Sequence, residues 1–284
     1  MSGAAAGVAR PAGRSGEHLQ ARTGAPRIAL IPPEVLEALN DGRIETVNLN
    51  EFLALDLTRL ARRVARQIGL DADAERLADT LAMLAAFKPM QRHGHVARAL
   101  YDLAAAHADP DAVAQALATH PSDVARGWAA HWVLVSGLAL PDKLVSVRRF
   151  AADPHFGVRE LAWMALRADV VTAPDPALAL LQPWVREADP SLRRFASELT
   201  RPRGVWCAQI EALKAEPWRA LALLEPLRAD PSRYVQNSVA NWLNDTSKSR
   251  PEWVQGVCER WLLESPGDET RYIVRRGMRT ILKS

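Results

Sequence analysis

The residues best suited to chemistry lie between positions 194 and 206. Glu198 stands near the end of a predicted helix, and Arg201 and Arg203 follow it on either side of a proline, ahead of Trp206. Guanidinium groups match the oxygens of phosphates, and an indole ring attracts cations and stacks on planar groups. A carboxylate and an aromatic ring beside two arginines therefore suit a cationic group held against a phosphate backbone.

A second polar segment follows one repeat later, in residues 238–248. Residues four apart on a helix share a face, so the spacing predicts polar stripes on three successive helices. The stripes consist of Arg194 with Glu198, of Asn237 with Asn241 and Asp245, and of Arg275 with Arg279. They are either a site or simply the solvated sides of the helices.

Regularly spaced Asp-Pro dipeptides indicate the elements that position these residues. Four of the five stand at 109–110, 153–154, 189–190 and 230–231, with spacings of 44, 36 and 41 residues. This is the period of a two-helix HEAT-type unit, and Asp followed by Pro suits the entry to a helix. Four segments then align without gaps, namely 158–160, 192–194, 235–237 and 273–275. We therefore predict an all-α fold, an α-solenoid of HEAT-like helical repeats.

Composition and periodicity extend this prediction along the chain. Ala, Leu and Arg are abundant and strand formers are scarce, which favours helices. Residues 1–26 lack hydrophobic periodicity and are predicted to be a disordered basic tail, followed by one repeat domain over 27–284. A helical pattern is expected from Pro32, with Pro32 and Pro33 near a helix start. Amphipathic helices are expected over 51–68 and 73–88, since apolar residues recur at helical spacing, namely Leu53, Leu57, Leu60 and Val64.

Several function classes are disfavoured by what the sequence lacks. No signal sequence or membrane span is apparent, which predicts a cytoplasmic protein. Cys207 and Cys258 are too few for a disulfide framework and are expected to be reduced core residues. His93 and His95 have no third ligand nearby, so no metal site is expected.

Charge is distributed unevenly along the chain. The net charge is +3 over 284 residues, but residues 191–284 carry 16 Lys and Arg against 11 Asp and Glu. This excess suggests an anionic partner for the C-terminal third.

Two motifs resemble the HEAT-like DNA alkylation-repair glycosylases, specifically their AlkC-type branch. They are RRFASELTRPRGVW at 193–206 and YVQNSVANWLNDTSK at 234–248. The segment TRYIVRRGMRTILKS at 270–284 resembles the last helix of that family's repeat region, and GRIETVNLNEFLALD at 42–56 is similar to its N-terminal part. The resemblance covers most of 32–284.

The resemblance implies a monofunctional DNA glycosylase that hydrolyses the N-glycosidic bond of cationic N-alkylated bases in duplex DNA. The expected lesion is 3-methyladenine, with 3-methylcytosine and 7-methylguanine as further candidates. Such a base is already positively charged and leaves readily, so the enzyme must stabilise an oxocarbenium-like sugar and position a water. No cofactor or metal is implied. We expect a monomer that acts on alkylated double-stranded DNA at the bacterial nucleoid, without a membrane partner.

The resemblance also assigns roles, motif by motif. Glu198 and Trp206 belong to the first motif, Asp245 belongs to the second, and Glu160 in FGVRELAW matches a further active-site acid. A short insertion near 169–176 makes Glu160 the weakest match. Asp245 is expected to stabilise the developing charge or to position water, with Glu198 and Glu160 in support. Backbone contacts to DNA are expected from Arg194, Arg201, Arg203, Lys248, Arg275 and Arg279.

Two departures from the family stand out. Some members carry a C-terminal immunoglobulin-like domain, whereas this sequence stops at Ser284, so the repeat surface alone is expected to hold DNA. The family often has an arginine where Gln236 and Asn237 stand here, which lowers the positive charge beside the predicted site.

A structural interpretation competes with each functional one. Arg194 and Glu198 are also spaced for an ordinary ion pair worth about a few tenths of a kcal/mol, and Trp163 and Trp242 are expected in the core. The alternative function is a catalytically silent HEAT-repeat scaffold that binds protein or nucleic acid. Fold alone does not separate these functions, so the discriminating question is whether the carboxylates and Trp206 converge on one surface.

Overall fold

The computed structural model describes Leu19, residues 21–204 and residues 206–283. Within these residues the chain forms α-helices and short 3-10 helices, and no strand occurs in this part of it. The all-α prediction is confirmed. Most of the predicted N-terminal tail, residues 1–18 and 20, lies outside the described residues.

The chain divides into two compact units, Met1–Arg126 and Gly127–Ser284, where the sequence predicts one repeat domain over 27–284. The boundary falls within a helix, Asp123–Val135, which we label α7. The helices before it are α1 (Pro33–Asn40), α2 (Leu49–Ala54), α3 (Leu57–Gln67), α4 (Ala74–Leu81), α5 (Pro89–Ala105) and α6 (Pro110–Ala118).

The first unit buries the apolar face of α3. Leu60 and Val64 are fully buried, as their helical spacing predicts. The predicted helix over 51–68 is interrupted, however, because Asp56 accepts a hydrogen bond from the Arg59 amide and begins α3 afresh. Leu53, in the short α2, is consequently exposed rather than in the core.

The start of the first unit lies earlier than predicted. Arg22 belongs to the predicted tail, yet its Nη2 lies 2.6 Å from Glu51 Oε2, and both side chains are almost fully buried. The same nitrogen donates to the Glu45 carbonyl at 2.7 Å. Arg22 is therefore part of the folded structure, which includes residues before position 27.

The second unit is a succession of helices that continues from α7. They are α8 (Leu140–Ala151), α9 (Phe156–Ala165), α10 (Arg167–Thr172), α11 (Pro174–Leu181), α12 (Pro190–Leu199), α13 (Glu211–Ala215), α14 (Leu221–Leu224), α15 (Arg233–Ser247), α16 (Pro251–Glu264) and α17 (Asp268–Gly277). Helices α9, α12, α15 and α17 pack against one another in that order. Trp163 and Trp242 lie in the core as predicted, and Trp242 Nε1 fastens α15 to α12 by donating to the Thr200 carbonyl at 3.0 Å.

The Asp-Pro dipeptides act in two ways. Asp109 and Asp189 cap α6 and α12, with a proline as the first helical residue, as predicted. Asp153 and Asp230 do not cap a helix, because α9 and α15 begin later. Their carboxylates instead accept the backbone N–H two residues further on, at 2.8 Å in both cases. This closes a turn ahead of the helix.

Three Asp-Pro turns, those at Asp153, Asp189 and Asp230, are also closed from the helix side by a contact that we call the turn lock. Arg159 and Arg193 each donate to the two carbonyls that lie five and six residues earlier, at 2.6–2.9 Å. Gln236 donates to the carbonyl six residues earlier at 2.7 Å. These residues occupy the middle position of three of the aligned segments, which supports the repeat alignment. Gln236 is therefore a buried structural residue, and its lack of charge removes nothing from the surface.

Candidate active site and nucleic-acid surface

Three successive helices of the second unit bring three carboxylates into one array. Glu160 comes from α9, Glu198 from the last turn of α12 and Asp245 from α15. Arg194 lies one turn before Glu198, and Arg201 follows the end of α12. We call these five residues the carboxylate network.

The members of the carboxylate network are joined in a continuous chain of ion pairs. Arg194 Nη2 donates to Glu160 Oε1 at 2.9 Å, and Arg194 Nη1 lies 3.0 Å from Glu198 Oε1. Arg201 Nη1 donates to Glu198 Oε2 at 2.9 Å, and its Nε donates to Asp245 Oδ2 at the same distance. Each arginine thus bridges two carboxylates, with Glu198 in the middle.

Burial distinguishes this array from a solvated helix face. Glu198 is 1% exposed and Asp245 is 5% exposed. Burial on its own would raise the pKa of the Glu198 carboxyl, but the guanidinium groups of Arg194 and Arg201 outweigh it and hold the pKa below its usual range. Burial would likewise lower the pKa of Arg201, and the two carboxylates beside it raise that pKa instead. Both groups are held in their charged forms.

Glu160 is the most accessible of the three carboxylates, with a third of its side chain exposed. Its Oε2 accepts a hydrogen bond from Trp163 Nε1 at 2.8 Å, so the core tryptophan orients the carboxylate. Glu160, Trp163, Arg194 and Tyr234 line a small open pocket of about 170 Å³. Through Glu160 and Arg194 this pocket adjoins the carboxylate network.

Tyr234, in the first turn of α15, is a site residue that the sequence analysis did not select. Its ring lies under two guanidinium groups, with Arg194 Cζ at 4.2 Å and Arg159 Cζ at 5.0 Å from the ring centre. Arg159 Nε also donates to the Tyr234 hydroxyl at 3.0 Å. The tyrosine therefore sets the position of Arg194 in the network. The sequence feature that could have selected Tyr234 is its position directly before the aligned segment 235–237.

The segment after α12 carries the remaining residues of the first motif. Arg203 Nε donates to the Asp245 carbonyl at 3.2 Å, so this arginine also contacts α15. Trp206 is 57% exposed and has a backbone φ of 61°. That left-handed conformation costs a residue with a large side chain about 1–3 kcal/mol, and it persists only where the surroundings impose it. No described contact joins the Trp206 ring to the carboxylates.

The predicted phosphate-binding residues fall into two groups. Arg194 and Arg201 are largely buried and committed to carboxylates, so we interpret them as holding the acids rather than a DNA backbone. Lys248 is half exposed, with its Nζ 3.7 Å from Asp245 Oδ1, and Arg279 donates to Asn241 Oδ1 at 3.0 Å. Arg275 is exposed.

Arg275 belongs to a cationic group around Tyr272 in α17. The Cζ atoms of Arg233, Arg275 and Arg276 lie 3.5, 5.7 and 5.5 Å from the centre of the Tyr272 ring. We call these four residues the Tyr272 cluster. Within the described residues, none of the three arginines pairs with a carboxylate. The sequence analysis selected Arg275 but missed Arg233, Arg276 and the tyrosine between them.

Other predicted features are placed as follows. Cys258 is fully buried as expected, whereas Cys207 is half-buried and not a core residue. Burial raises the pKa of both thiols, that of Cys258 to about 12. His93 stacks on Phe52 at 4.5 Å between ring centres. Among residues 21–204 and 206–283, no group of three potential metal ligands occurs, and no helix is long and apolar enough to cross a membrane.

The chain matches no protein-family model. YhaZ, an uncharacterized protein of Bacillus subtilis, is 32% identical over 169 residues, which are 56% of this chain and 46% of YhaZ. The alkylpurine DNA glycosylase AlkC of Pseudomonas fluorescens, solved bound to DNA containing an abasic site analog, has 28% identity and a TM-score of 0.65. The resemblance to the HEAT-like alkylpurine DNA glycosylases is confirmed.

The extent of the AlkC likeness is uneven. It covers 80% of this chain but 62% of the AlkC chain, and the chain spans about half the length of YhaZ. AlkD2 of Streptococcus mutans shares the fold, with a TM-score of 0.54 and 19% identity over 72% of this chain. With these AlkC-type and AlkD-type relatives, the predicted fold class, an all-α solenoid of HEAT-like repeats, is confirmed.

Proposed function

We propose that the protein is a DNA glycosylase that excises cationic N-alkylated bases from duplex DNA. The observation that carries the proposal is the carboxylate network, in which acids from three successive helices are fixed by two shared arginines. The likeness to AlkC, which was solved on DNA containing an abasic site analog, supports the same reaction.

The proposed reaction needs little from an acid catalyst. When the C1′–N bond of a cationic base breaks, the bonding electrons leave with the base and neutralise it. Positive charge then develops on the deoxyribose as an oxocarbenium-like centre. Water adds to C1′ and releases a proton, which leaves a neutral free base and an abasic site. The protein's task is to stabilise the sugar cation and to place the water.

Asp245 is the carboxylate best placed for this task. Its Oδ2 is occupied by Arg201, while Lys248 Nζ, at 3.7 Å from Oδ1, is beyond hydrogen-bond distance. One oxygen is therefore anchored by Arg201, and we assign the other, which has only the longer ion pair with Lys248, to the sugar cation or to the water. Because Arg201 is already in place, little reorganisation is needed as charge develops.

Glu160 and Trp206 complete the proposed site. Glu160, at the mouth of the small pocket, is the exposed acid that can take the proton from the attacking water. The exposed indole of Trp206 offers a π face to the cationic base or sugar. Glu198, buried between two arginines, has the supporting role of keeping both of them in position.

The decisive experiment is release of free base from methylated duplex DNA by the purified protein. We expect 3-methyladenine to be released in preference to unmodified bases, with an abasic site left in the strand. Chromatography with mass detection measures the base, and cleavage of the abasic strand by alkali measures the site. Undamaged duplex of the same sequence is the control.

A catalytically silent scaffold is the second candidate, and one observation favours it. Two carboxylates of the network are nearly fully buried, and each of the three has a guanidinium partner, as in a purely structural cluster. If the folded protein releases no alkylated base but binds duplex DNA or a protein partner, the scaffold function is the correct one.

A further inference from the structure

Arg167, in the short helix α10, is a buried arginine that neither the motifs nor the proposed mechanism uses. It is 2% exposed. Its Nη1 donates to the Leu199 carbonyl at 2.7 Å, its Nη2 to the Arg201 carbonyl at 2.6 Å and its Nε to the Ala208 carbonyl at 2.8 Å. All three acceptors are main-chain groups, so this guanidinium recognises a backbone shape.

The three acceptors bracket the segment that carries the first motif. Leu199 is the last residue of α12, and its carbonyl is one that the helix leaves without an internal partner. Ala208 lies just beyond Trp206, and the Ile210 amide closes the loop by donating to the Pro202 carbonyl at 3.0 Å. Arg167 thus caps α12 and, within this segment 199–208, joins its two described stretches, residues 199–204 and 206–208, at one point.

Gly204 is closely approached by two side chains at this point. A Cβ added to Gly204 would collide with Cys207 Sγ and would lie 3.5 Å from Arg167 Nη2. Trp206 holds a positive φ two residues further on. A strained residue persists only where its surroundings hold it, and the guanidinium of Arg167, bonded on both sides of Trp206, supplies such a tie.

We propose that Arg167 is a positioning residue, which fixes the segment 199–208 so that Arg201 reaches both carboxylates and Trp206 stays presented to the ligand. The catalytic part of this inference rests on the proposed glycosylase function, whereas the tie itself does not. A lysine cannot replace the arginine, because one ammonium group does not span three carbonyls that the planar guanidinium reaches together.

Cys207 provides a built-in reporter of the segment. It is half-buried there, whereas Cys258 is fully buried and should be silent. In a Cys258→Ala background, we expect Arg167→Lys to raise the labelling rate of Cys207 by Ellman's reagent several-fold. Lysine retains the positive charge beside the thiol, so a faster rate reports a loosened segment and not a change in charge.

The catalytic readout is single-turnover release of 3-methyladenine by the same variant. Misplacing Arg201 and Trp206 by an ångström should slow excision by about 100-fold, while affinity for intact duplex stays unchanged. Arg193→Lys is the matched control, because Arg193 is also largely buried and also donates to backbone carbonyls, but in a turn lock. It should lower the melting temperature without altering Cys207 labelling.

Gly204→Ala disturbs the same segment while residue 167 stays an arginine, and it serves if Arg167→Lys does not fold. Because the added Cβ displaces the Cys207 thiol directly, its readout is excision, which should slow. Labelling at the wild-type rate in folded Arg167→Lys would overturn the tie, and wild-type excision in either folded variant would overturn the positioning role. If the wild-type protein excises nothing, the proposed function fails, and Cys207 labelling alone decides whether Arg167 holds the segment.

Discussion

The second unit handles arginine in two opposite ways. In the carboxylate network, Arg194 and Arg201 are mostly buried and each bridges two acids. In the Tyr272 cluster, Arg233 and Arg276 are exposed and lie against an aromatic ring, without an ion pair among the described residues. The two regions use the same side chain, but only in the first is each arginine paired with carboxylates of the same region.

This difference suggests that the carboxylate network positions catalytic groups, whereas the Tyr272 cluster attracts the phosphates of DNA. A buried array of ion pairs is held in place and little screened by salt, which suits groups that must already point at a developing charge. Exposed arginines around an aromatic ring leave their charge for an external anion, and phosphates bound there would displace counterions. We therefore expect substitutions in the network to alter rate or stability, and substitutions in the Tyr272 cluster to alter binding.

The largest effect is expected from Asp245→Asn, which removes one charge at constant shape. Loss of a preorganised electrostatic partner typically slows the chemical step by about 100- to 1000-fold. Affinity for intact duplex should stay constant or rise, since a carboxylate near phosphates repels them. Single-turnover excision and duplex binding measure the two quantities.

Asp230→Asn is the matched control for that experiment. Asp230 is another buried aspartate paired with an arginine, Arg193, but it lies in a turn lock outside the network. The Asp230→Asn variant should have a lower free energy of unfolding and an unchanged rate of excision. Excision at the wild-type rate by folded Asp245→Asn would remove Asp245 from the mechanism and make the network a structural cluster.

A smaller effect, on stability, is expected from Glu198→Gln. Breaking a buried ion pair costs about 3–5 kcal/mol, and the lower end applies here because both arginines keep another carboxylate. Arg276→Ala, in the Tyr272 cluster, should change the free energy of unfolding by less than about 0.5 kcal/mol. Urea denaturation monitored by circular dichroism compares the two variants.

The pH dependence of that difference follows from the lowered pKa of Glu198. In the unfolded chain the carboxyl binds a proton near pH 4.5, the ordinary pKa of a glutamate, whereas the folded one resists protonation. The stabilisation by Glu198 should therefore be complete above about pH 4.5 and decline as the pH falls towards the folded pKa. A difference between wild type and Glu198→Gln that does not vary with pH would mean that Glu198 is not held ionised by its arginines.

The smallest effect is expected from Arg233→Ala combined with Arg276→Ala. Each arginine that contacts a phosphate should contribute about one unit to the slope of log affinity against log salt, so the slope should fall by about two. Excision at saturating protein should be unaffected. Arg271→Ala, an exposed arginine already paired with Asp268, is the control and should leave the slope unchanged. An unchanged slope in the double variant would place the DNA elsewhere.

Helical periodicity was enough to predict much of this arrangement. The spacing of Asp-Pro dipeptides placed the repeats, and alignment of 158–160 with 192–194 and 235–237 selected the helices that pack together. Because a polar residue at a fixed helical position recurs on the same side of each repeat, the spacing correctly put Arg194 and Glu198 on one face. It did not reveal that Glu198 and Asp245 are buried, since burial depends on partners from other helices.

The remaining contacts depend on side-chain geometry that no local pattern encodes. Arg201 reaches Asp245 across 44 positions of sequence, and Arg167 reaches Ala208 across 41. Arg167 stands at the edge of the insertion near 169–176, where the family motifs give no guidance. The predicted helix over 51–68 is interrupted because Asp56 caps a new helix, although the apolar residues keep a helical spacing across this point.

The turn lock also bears on how such a protein can change over evolutionary time. The lock residue, Arg159, Arg193 or Gln236, donates to backbone carbonyls of its own turn. The two arginines also contact a residue of another repeat, Tyr234 and Asp230 respectively. The next residue in each repeat is Glu160, Arg194 or Asn237: an acid, a base and an amide in equivalent places. A single substitution at this second position can therefore change the chemistry that one repeat offers, while the lock residue beside it keeps the turn closed.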